Sequence, residues 1–304
     1  MNRVREIIHC NLPHELGKKG QNIGIAVLDT GICLHPDFNN RIITFHDILH
    51  GKLSLYDDCG HGTHVSGITA SDGTASNGQY TGIAPKCNII SLKVLDHKGN
   101  GNISDVLKGI EWIVKNKERY NIRVVNISVG MNPKKGEENK SERLIGGVEY
   151  AWENGLVVVT AAGNNGPKSQ TITIPGVSKK VITVGSSDDQ QITDMYGRKK
   201  SNYSSRGPTS SCVCKPDIVA PGSNIISCSH NFMKRSGKPY CIKSGTSMAT
   251  PVVTGAIALL LSQYPDMDNF EVKMHLKESA EDLNLPKNQQ GWGGLNVEKL
   301  LSEI

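Results

Sequence analysis

Residues 244–261 read Ser-Gly-Thr-Ser-Met-Ala-Thr-Pro-Val-Val-Thr-Gly-Ala-Ile-Ala-Leu-Leu-Leu, and they predict a helix that is buried on all sides. The apolar run in its second half leaves no polar face for water. Because proline lacks an N–H, Pro251 is predicted to lie in the opening turn, with the helix beginning near Thr246 or Ser247. Ser247 therefore stands where the first amide N–H groups have no helical partner, so its hydroxyl is either a helix cap or a nucleophile.

Two further motifs lie upstream of this helix. Ala26-Val-Leu-Asp-Thr-Gly-Ile ends a β-rich apolar run at Asp29, and Gly60-His-Gly-Thr-His-Val-Ser-Gly predicts the start of a helix. In open parallel sheets ligands collect at the carboxyl ends of strands, which places Asp29 where chemistry can occur. His61 and His64 share a predicted helical face and could bind a metal, although no His-Glu-x-x-His pattern supports that alternative.

Taken together, the three motifs resemble those of the subtilisin-like serine proteases (subtilases, the peptidase S8 family), from about residue 20 to about residue 300. Their order along the chain, Asp then His then Ser, is the subtilisin order. The resemblance implies a catalytic triad of Asp29, His61 and Ser247. It also implies that Asn164 is the side-chain donor of the oxyanion hole.

The same resemblance implies two substrate-binding segments. In the first, an exposed backbone edge pairs with an extended substrate, at Gly99, Asn100 and Gly101. In the second, two strand ends line the pocket for the residue before the cleaved bond, at Ser128, Val129, Gly130, Ala161, Ala162 and Gly163. An exposed glycine-rich edge favours peptide binding by strand addition, although an ordinary glycine turn would have the same composition.

Apolar strands alternate with amphipathic helices along the chain, which predicts an α/β fold, a three-layer α/β/α sandwich on a mainly parallel sheet. One domain is expected over residues 1–304, with residues 1–22 as a polar lead-in whose Gly17 and Gly20 break any helix. Helices are predicted at about 103–114 and at about 141–154, the second beginning at Ser141.

Composition limits the classes of partner. The 304 residues include 34 basic and 29 acidic side chains, a balance too mild to imply nucleic acid. No stretch resembles a signal peptide, the run Ala256–Leu261 is too short to span a membrane, and the eight cysteines are expected to remain thiols. Peptides or proteins are the expected substrates. Because no signal peptide is recognised and the cysteines are expected to be thiols, a cytoplasmic enzyme of the intracellular type, without a propeptide, is predicted.

Cofactors are not required by the predicted chemistry. In some subtilases the acid that matches Asp37 helps to bind a structural calcium ion, which makes Asp37 a candidate ligand and a structural calcium possible. Cys59, two residues before His61, is predicted either as a small buried hydrophobe or as a thiol activated by the helix entry.

Two other functions remain open at this stage. One is a catalytically silent subtilase that binds peptides or regulates a partner. The other is a metal-dependent hydrolase that uses His61, His64 and an acid.

Overall fold

A computed structural model describes residues 1–132, 136, 138–190, 192–193, 199–232 and 237–302. The helices in these ranges are α1 Asn2–Ile7, α2 Asn11–Glu15, α3 His61–Ala70, α4 Ile103–Asn116, α5 Glu138–Glu153, α6 Thr246–Gln263, α7 Asn269–Ser279, α8 Lys287–Gln290 and α9 Val297–Leu300. The strands are β1 Gly24–Asp29, β2 Ile42–Asp47, β3 Asn88–Lys93, β4 Ile122–Ile127, β5 Val157–Ala161, β6 Ile182–Ser186, β7 Ile192–Thr193, β8 Lys199–Lys200, β9 Ile218–Ala220, β10 Ile225–Cys228 and β11 Tyr240–Lys243.

The middle layer is a seven-stranded sheet in the order β2-β3-β1-β4-β5-β6-β9, with every neighbouring pair parallel. Successive side chains of β1 alternate between its faces: Ile25 and Val27 join one apolar core, and Ala26 and Leu28 join the other. Strands buried on both faces read as continuous apolar runs, as this one does. Helices α3 and α6 cover one face and α4 and α5 the other, which confirms the predicted three-layer α/β/α sandwich.

Helix α6 runs through the core against α3 and strands β4, β5 and β6. By length and composition it could cross a membrane, but 83% of it is buried inside the fold. A Cβ atom on Gly255 would stand 2.6 Å from the Cβ of Ile83, so a larger side chain there would push the two segments apart. This helix brings Ser247 to the carboxyl edge of the sheet.

Helix α6 begins at Thr246, as predicted, but Pro251 lies in its second turn instead of the first. It is the sixth residue of α6 and lies inside the helix, where its missing N–H removes the usual donor to the carbonyl of Ser247. Burial of the surrounding apolar residues compensates for that lost bond, since tertiary packing supplies most helix stability. Helix α5 likewise begins at Glu138, three residues before the predicted Ser141.

The N-terminal lead-in is also more structured than predicted. Helices α1 and α2 lie within it, and Val4 and Ile8 are buried in the core formed with α6. The backbone N–H of Val297 donates to the carbonyl of Ile8 at 2.8 Å, which ties α1 to the last helix. Gly17 and Gly20 follow α2 in the left-handed region and end the helical segment instead of preventing it.

Candidate active site

Asp29 and His61 form the first part of the candidate site. Nδ1 of His61 lies 2.7 Å from Oδ1 and 2.9 Å from Oδ2 of Asp29, at the end of β1. Asp29 is buried, and the side chain of His61, the first residue of α3, is 23% exposed. Because a carboxylate oxygen only accepts hydrogen bonds, Nδ1 carries the proton and Nε2 is left as a base.

Ser247 is the second residue of α6 and lines the same cleft as His61. The cleft has a volume of about 410 Å³ and crosses the carboxyl edge of the sheet. Within the described residues, no hydrogen bond joins Nε2 of His61 to Oγ of Ser247. Such bonds are often long in ligand-free sites and tighten when substrate binds.

Asn164, which follows β5, is held by the residue before Ser247. Its Oδ1 accepts the backbone N–H of Thr246 at 2.9 Å and the Thr246 hydroxyl at 3.2 Å. With the oxygen occupied in this way, the Nδ2 amino group remains free to donate into the cleft. Gly245 adopts a φ of 147°, and a Cβ there would lie 3.3 Å from Nδ2 of Asn164, so glycine keeps the amide unobstructed.

Asp57 organises the approach to His61 and was not singled out by the sequence reasoning. Its carboxylate accepts hydrogen bonds from the Thr30 hydroxyl at 2.8 Å, from the Gly60 N–H at 2.7 Å, and from both the N–H and the hydroxyl of Thr63. Burial alone would raise the pKa of Asp57, but these hydrogen bonds hold it below its ordinary value. Asp57 thereby joins the turn after Asp29 to the first turn of α3.

Lys93 is a second organising residue that the sequence reasoning missed. Its side chain is fully buried, and Nζ donates to the carbonyls of Thr30 at 2.7 Å and Leu95 at 2.9 Å and to Oδ1 of Asp58 at 2.7 Å. A buried ammonium is tolerated only when it is paired and hydrogen-bonded. The available signal was a lysine within the largely apolar run Ile89-Ile-Ser-Leu-Lys-Val-Leu.

The predicted substrate residues are divided between two adjoining cavities. The cleft is lined by Gly99, Ser128, Val129, Gly130, Ala161 and Gly163. Asn100 and Gly101 line a neighbouring cavity of about 650 Å³, which shares Gly99, Val129 and Gly130 with the cleft. Ala162 lines neither cavity. It is fully buried, and its N–H donates to the carbonyl of Val184, because successive residues of an extended segment face opposite ways.

Thr173 forms part of the pocket wall and was not predicted. A Cβ on Gly130 would stand 2.4 Å from its Oγ1, and a Cβ on Gly163 would stand 2.4 Å from its Cγ2. The two glycines therefore leave the space that the threonine occupies. The residues predicted around this pocket, 128–130 and 161–163, place no charged side chain in its walls.

Comparisons with known proteins show the family of the chain. A family model described as "Subtilase family" matches residues 20–293. The chain belongs to the subtilase family. It is 43% identical over 291 residues to Serine protease AprX of Bacillus subtilis (strain 168), covering 92% of this chain and 66% of that protein. It is 34% identical over 285 residues to Subtilisin Savinase of Lederbergia lenta, covering 94% and 93% of the two chains.

Solved subtilase structures share the fold. A psychrophilic protease is 30% identical with a TM-score of 0.77, over 92% of each chain. A cold-adapted subtilisin-like serine proteinase is 28% identical with a TM-score of 0.73, over 92% of this chain and 90% of that one. The family and these relatives support serine endopeptidase activity in this domain, and none of them favours the catalytically silent alternative.

His64 occupies a structural position in this subtilase domain. It is fully buried, and its Nε2 lies 3.1 Å from the carbonyl of Ile225 and 3.2 Å from that of Cys241. Burial lowers the pKa of His64 to about 3, so the ring is neutral at physiological pH. Because Nε2 donates to these carbonyls, it is not available to a metal, and within the described residues His61 and His64 belong to no group of three potential metal ligands.

The surroundings of Asp37 do not fit a calcium ion. Its carboxylate accepts hydrogen bonds from the hydroxyls of Ser71 and Tyr240, each at 2.7 Å, and from the N–H of Ala75 at 2.8 Å. Calcium requires six to eight oxygen ligands, whereas the other two side chains that group with this carboxylate offer a nitrogen, from His35, and a sulfur, from Cys228.

Cys59 lines the active-site cleft beside His61 and is half-buried. Burial raises the pKa of the Cys59 thiol above its ordinary value. This shift does not favour a thiol activated by the helix entry, because desolvation outweighs the hydrogen bond that the His61 N–H gives to the sulfur.

Proposed function

We propose that the chain hydrolyses peptide bonds with Ser247 as nucleophile, His61 as general base and Asp29 as the group that orients His61. The observation that carries this proposal is the hydrogen bonding of Nδ1 of His61 to Asp29, at the edge of the cleft that Ser247 also lines. This arrangement fixes the tautomer in which Nε2 can accept a proton.

In the acylation step, Oγ of Ser247 attacks the peptide carbonyl while Nε2 of His61 takes the hydroxyl proton. Asp29 stabilises the imidazolium that forms. His61 then gives the proton to the leaving amine, and an acyl-enzyme on Ser247 remains. Water, deprotonated by the same histidine, hydrolyses this ester and restores the serine.

Two donors are proposed for the transient oxyanion. One is Nδ2 of Asn164, left free because Oδ1 is bound to Thr246. The other is the backbone N–H of Ser247 in the first turn of α6, where the helix has no internal acceptor for it. Donors fixed before the reaction stabilise the transition state without reorganising.

An extended peptide is the proposed substrate. In the described part of the chain, the backbone N–H and C=O groups of Val129, Gly130 and Gly101 make no hydrogen bond to other loop or turn backbone groups. These groups are available to pair with a peptide lying between the two segments. Because the cleft and the neighbouring cavity adjoin, each would take one substrate side chain, and the two side chains would lie on the same side of the cleaved bond.

None of the proposed chemical steps uses a cofactor. The resemblance to calcium-binding subtilases keeps a structural calcium ion as a proposal, and a rise in the thermal midpoint on calcium addition would test it. A cytoplasmic location is proposed because all eight cysteines are free thiols, and it can be tested by cell fractionation.

Profiling on a peptide library with wild type and Ser247→Ala tests the activity and the pocket together. Wild type is expected to cleave after large apolar or uncharged residues with low stringency, because residues 128–130, residues 161–163 and Thr173 place no charged side chain around the pocket. A profile dominated by Arg or Asp before the cleaved bond would contradict the pocket assignment. Cleavage by Ser247→Ala would contradict the nucleophile.

A further inference from the structure

His35, Asp37 and Cys228 meet inside the fold, and none of them has a part in the proposed chemistry. The first two lie in the segment after β1, and Cys228 ends β10. All three are buried, and their potential ligand atoms lie within 4.8 Å of one another. We infer that these three side chains form a binding site for a zinc ion, distinct from the triad and from a calcium site.

The distances between the side chains suit tetrahedral zinc. Nδ1 of His35 lies 3.6 Å from Oδ1 of Asp37, and Sγ of Cys228 lies 3.8 Å from Oδ2 of the same carboxylate. Zinc bond lengths of about 2.0 Å to nitrogen or oxygen and about 2.3 Å to sulfur put tetrahedral ligand atoms roughly 3.3–3.5 Å apart. Closing on a metal therefore requires movements of a few tenths of an ångström for these two pairs, while the nitrogen of His35 and the sulfur of Cys228 lie within 4.8 Å of each other.

His35 is held in the tautomer that a metal requires. Its Nε2 lies 2.8 Å from the carbonyl oxygen of Pro239, which can only accept, so Nε2 carries the proton. The unprotonated Nδ1 faces Asp37 and accepts that residue's backbone N–H at 3.2 Å, a long hydrogen bond that the bond to zinc would replace. Metal-binding histidines characteristically donate their other ring N–H to a carbonyl or carboxylate, which fixes the ring orientation.

The carboxylate of Asp37 is also fixed by hydrogen bonds from neighbouring groups. The hydroxyls of Ser71 and Tyr240 and the N–H of Ala75 donate to it and fix its orientation. The ring of His35 packs against Phe232 at a centroid distance of 5.1 Å and against Tyr240 at 5.7 Å. A polar centre within an apolar shell is the setting of structural metal sites.

The ligand set selects the metal. Thiolate and imidazole suit zinc, whereas calcium and magnesium prefer oxygen ligands. On binding, the Cys228 thiol loses its proton to the buffer and its sulfur forms the bond to zinc. One thiolate and one carboxylate then neutralise the two positive charges of the ion. The metal would join the segment that follows Asp29 to the β10–β11 hairpin, and it would act on stability and not on catalysis.

Zinc binding is best measured on the full chain in a background that carries Ser247→Ala, to prevent self-cleavage. The same background carries Cys59→Ser, Cys212→Ser and Cys214→Ser, which remove the thiol in the cleft and the two exposed thiols. Equilibrium dialysis with elemental analysis is expected to give one tightly bound zinc and a raised thermal midpoint. Cadmium should give the ultraviolet band of a metal–thiolate bond. Adding Cys228→Ser is expected to abolish the tight zinc binding and the cadmium–thiolate band. Adding Cys87→Ser should leave the two signals intact, because Cys87 is equally buried but lies outside the cluster.

Three results would overturn the site: no tight zinc in the background protein, cadmium bound without a thiolate band, or tight zinc retained by Cys228→Ser. Should Cys228→Ser fail to fold by circular dichroism, the first two measurements still decide, since neither needs the variant. The catalytic proposal is unaffected in every case, because the background protein has no nucleophile.

Discussion

Asn164 has a separate task at each end of its side-chain amide. Its oxygen binds Thr246, which anchors the side chain to the start of α6, and its nitrogen is free to face the cleft. His61 shows the same division, with Nδ1 bound to Asp29 and Nε2 left as the base. At the scale of single residues, each proposed catalytic group is oriented through the atom that does no chemistry.

Replacing Asn164 separates these two tasks. Asn164→Ala is expected to lower kcat by about 10²–10³ with little change in KM, a magnitude inherited from subtilisin, where it was measured for the matching donor. Asn164→Asp keeps an oxygen for Thr246 but removes the donor, so it should be at least as impaired. Steady-state kinetics on one peptide decides, and recovery of kcat in Asn164→Asp would show that the residue acts only as a structural acceptor.

Helix α6 and the carboxyl ends of the strands bring distant parts of the chain into one site. Ser247 starts the helix, Asp29 ends β1, and Asn164 follows β5. The position of α6 depends on small residues where it crosses its neighbours, above all on Gly255 against Ile83. The relative positions of these three residues therefore depend on how α6 packs in the core.

Two glycine-to-alanine substitutions test this packing. Gly255→Ala places a Cβ 2.6 Å from that of Ile83 and is expected to destabilise the fold by about 1–3 kcal/mol. Gly146→Ala, on an exposed face of α5 with nothing within 4 Å, should instead stabilise it by about 0.5–1 kcal/mol through helix propensity. Urea unfolding in a Ser247→Ala background measures both. A neutral or stabilising Gly255→Ala would contradict the close contact.

Stability of the whole molecule should fall on mild acidification because of His64. Burial lowers its folded pKa from 6.5 to about 3, so the unfolded chain binds a proton that the folded chain does not. The stabilisation is fully present above pH 6.5 and is lost as the pH falls towards 3, by up to about 1.4 kcal/mol per pH unit.

His64→Gln should reduce this dependence, whereas His50→Gln, at an exposed histidine, should not. Urea midpoints taken through the weakly acidic range, before most carboxylates titrate, make the comparison. Equal losses of stability in wild type and His64→Gln would mean that another group unfolds the protein in acid.

The sequence predicts features that neighbouring residues encode, and it predicts poorly those that arise from contacts between distant segments. The continuous apolar strands predict the layers of the fold, because each strand is encoded within a few residues. The meeting of Asp29 with His61 is predicted only through the resemblance of their motifs to those of the subtilases. Thr173 and Lys93 escape prediction because their roles arise from contacts between distant segments. The packing of α1 against the core was not predicted, because a short helix with isolated apolar residues carries little periodic signal.

The central claim is that Ser247 is a nucleophile activated by His61 and Asp29. Labelling the purified chain with a fluorophosphonate, followed by mass spectrometric mapping, tests it most directly, since only an activated serine reacts irreversibly. The expected result is one label on Ser247 in wild type, none in Ser247→Ala, and greatly slowed labelling in His61→Ala. A label on another serine, or equal labelling of Ser247→Ala, would contradict the assignment.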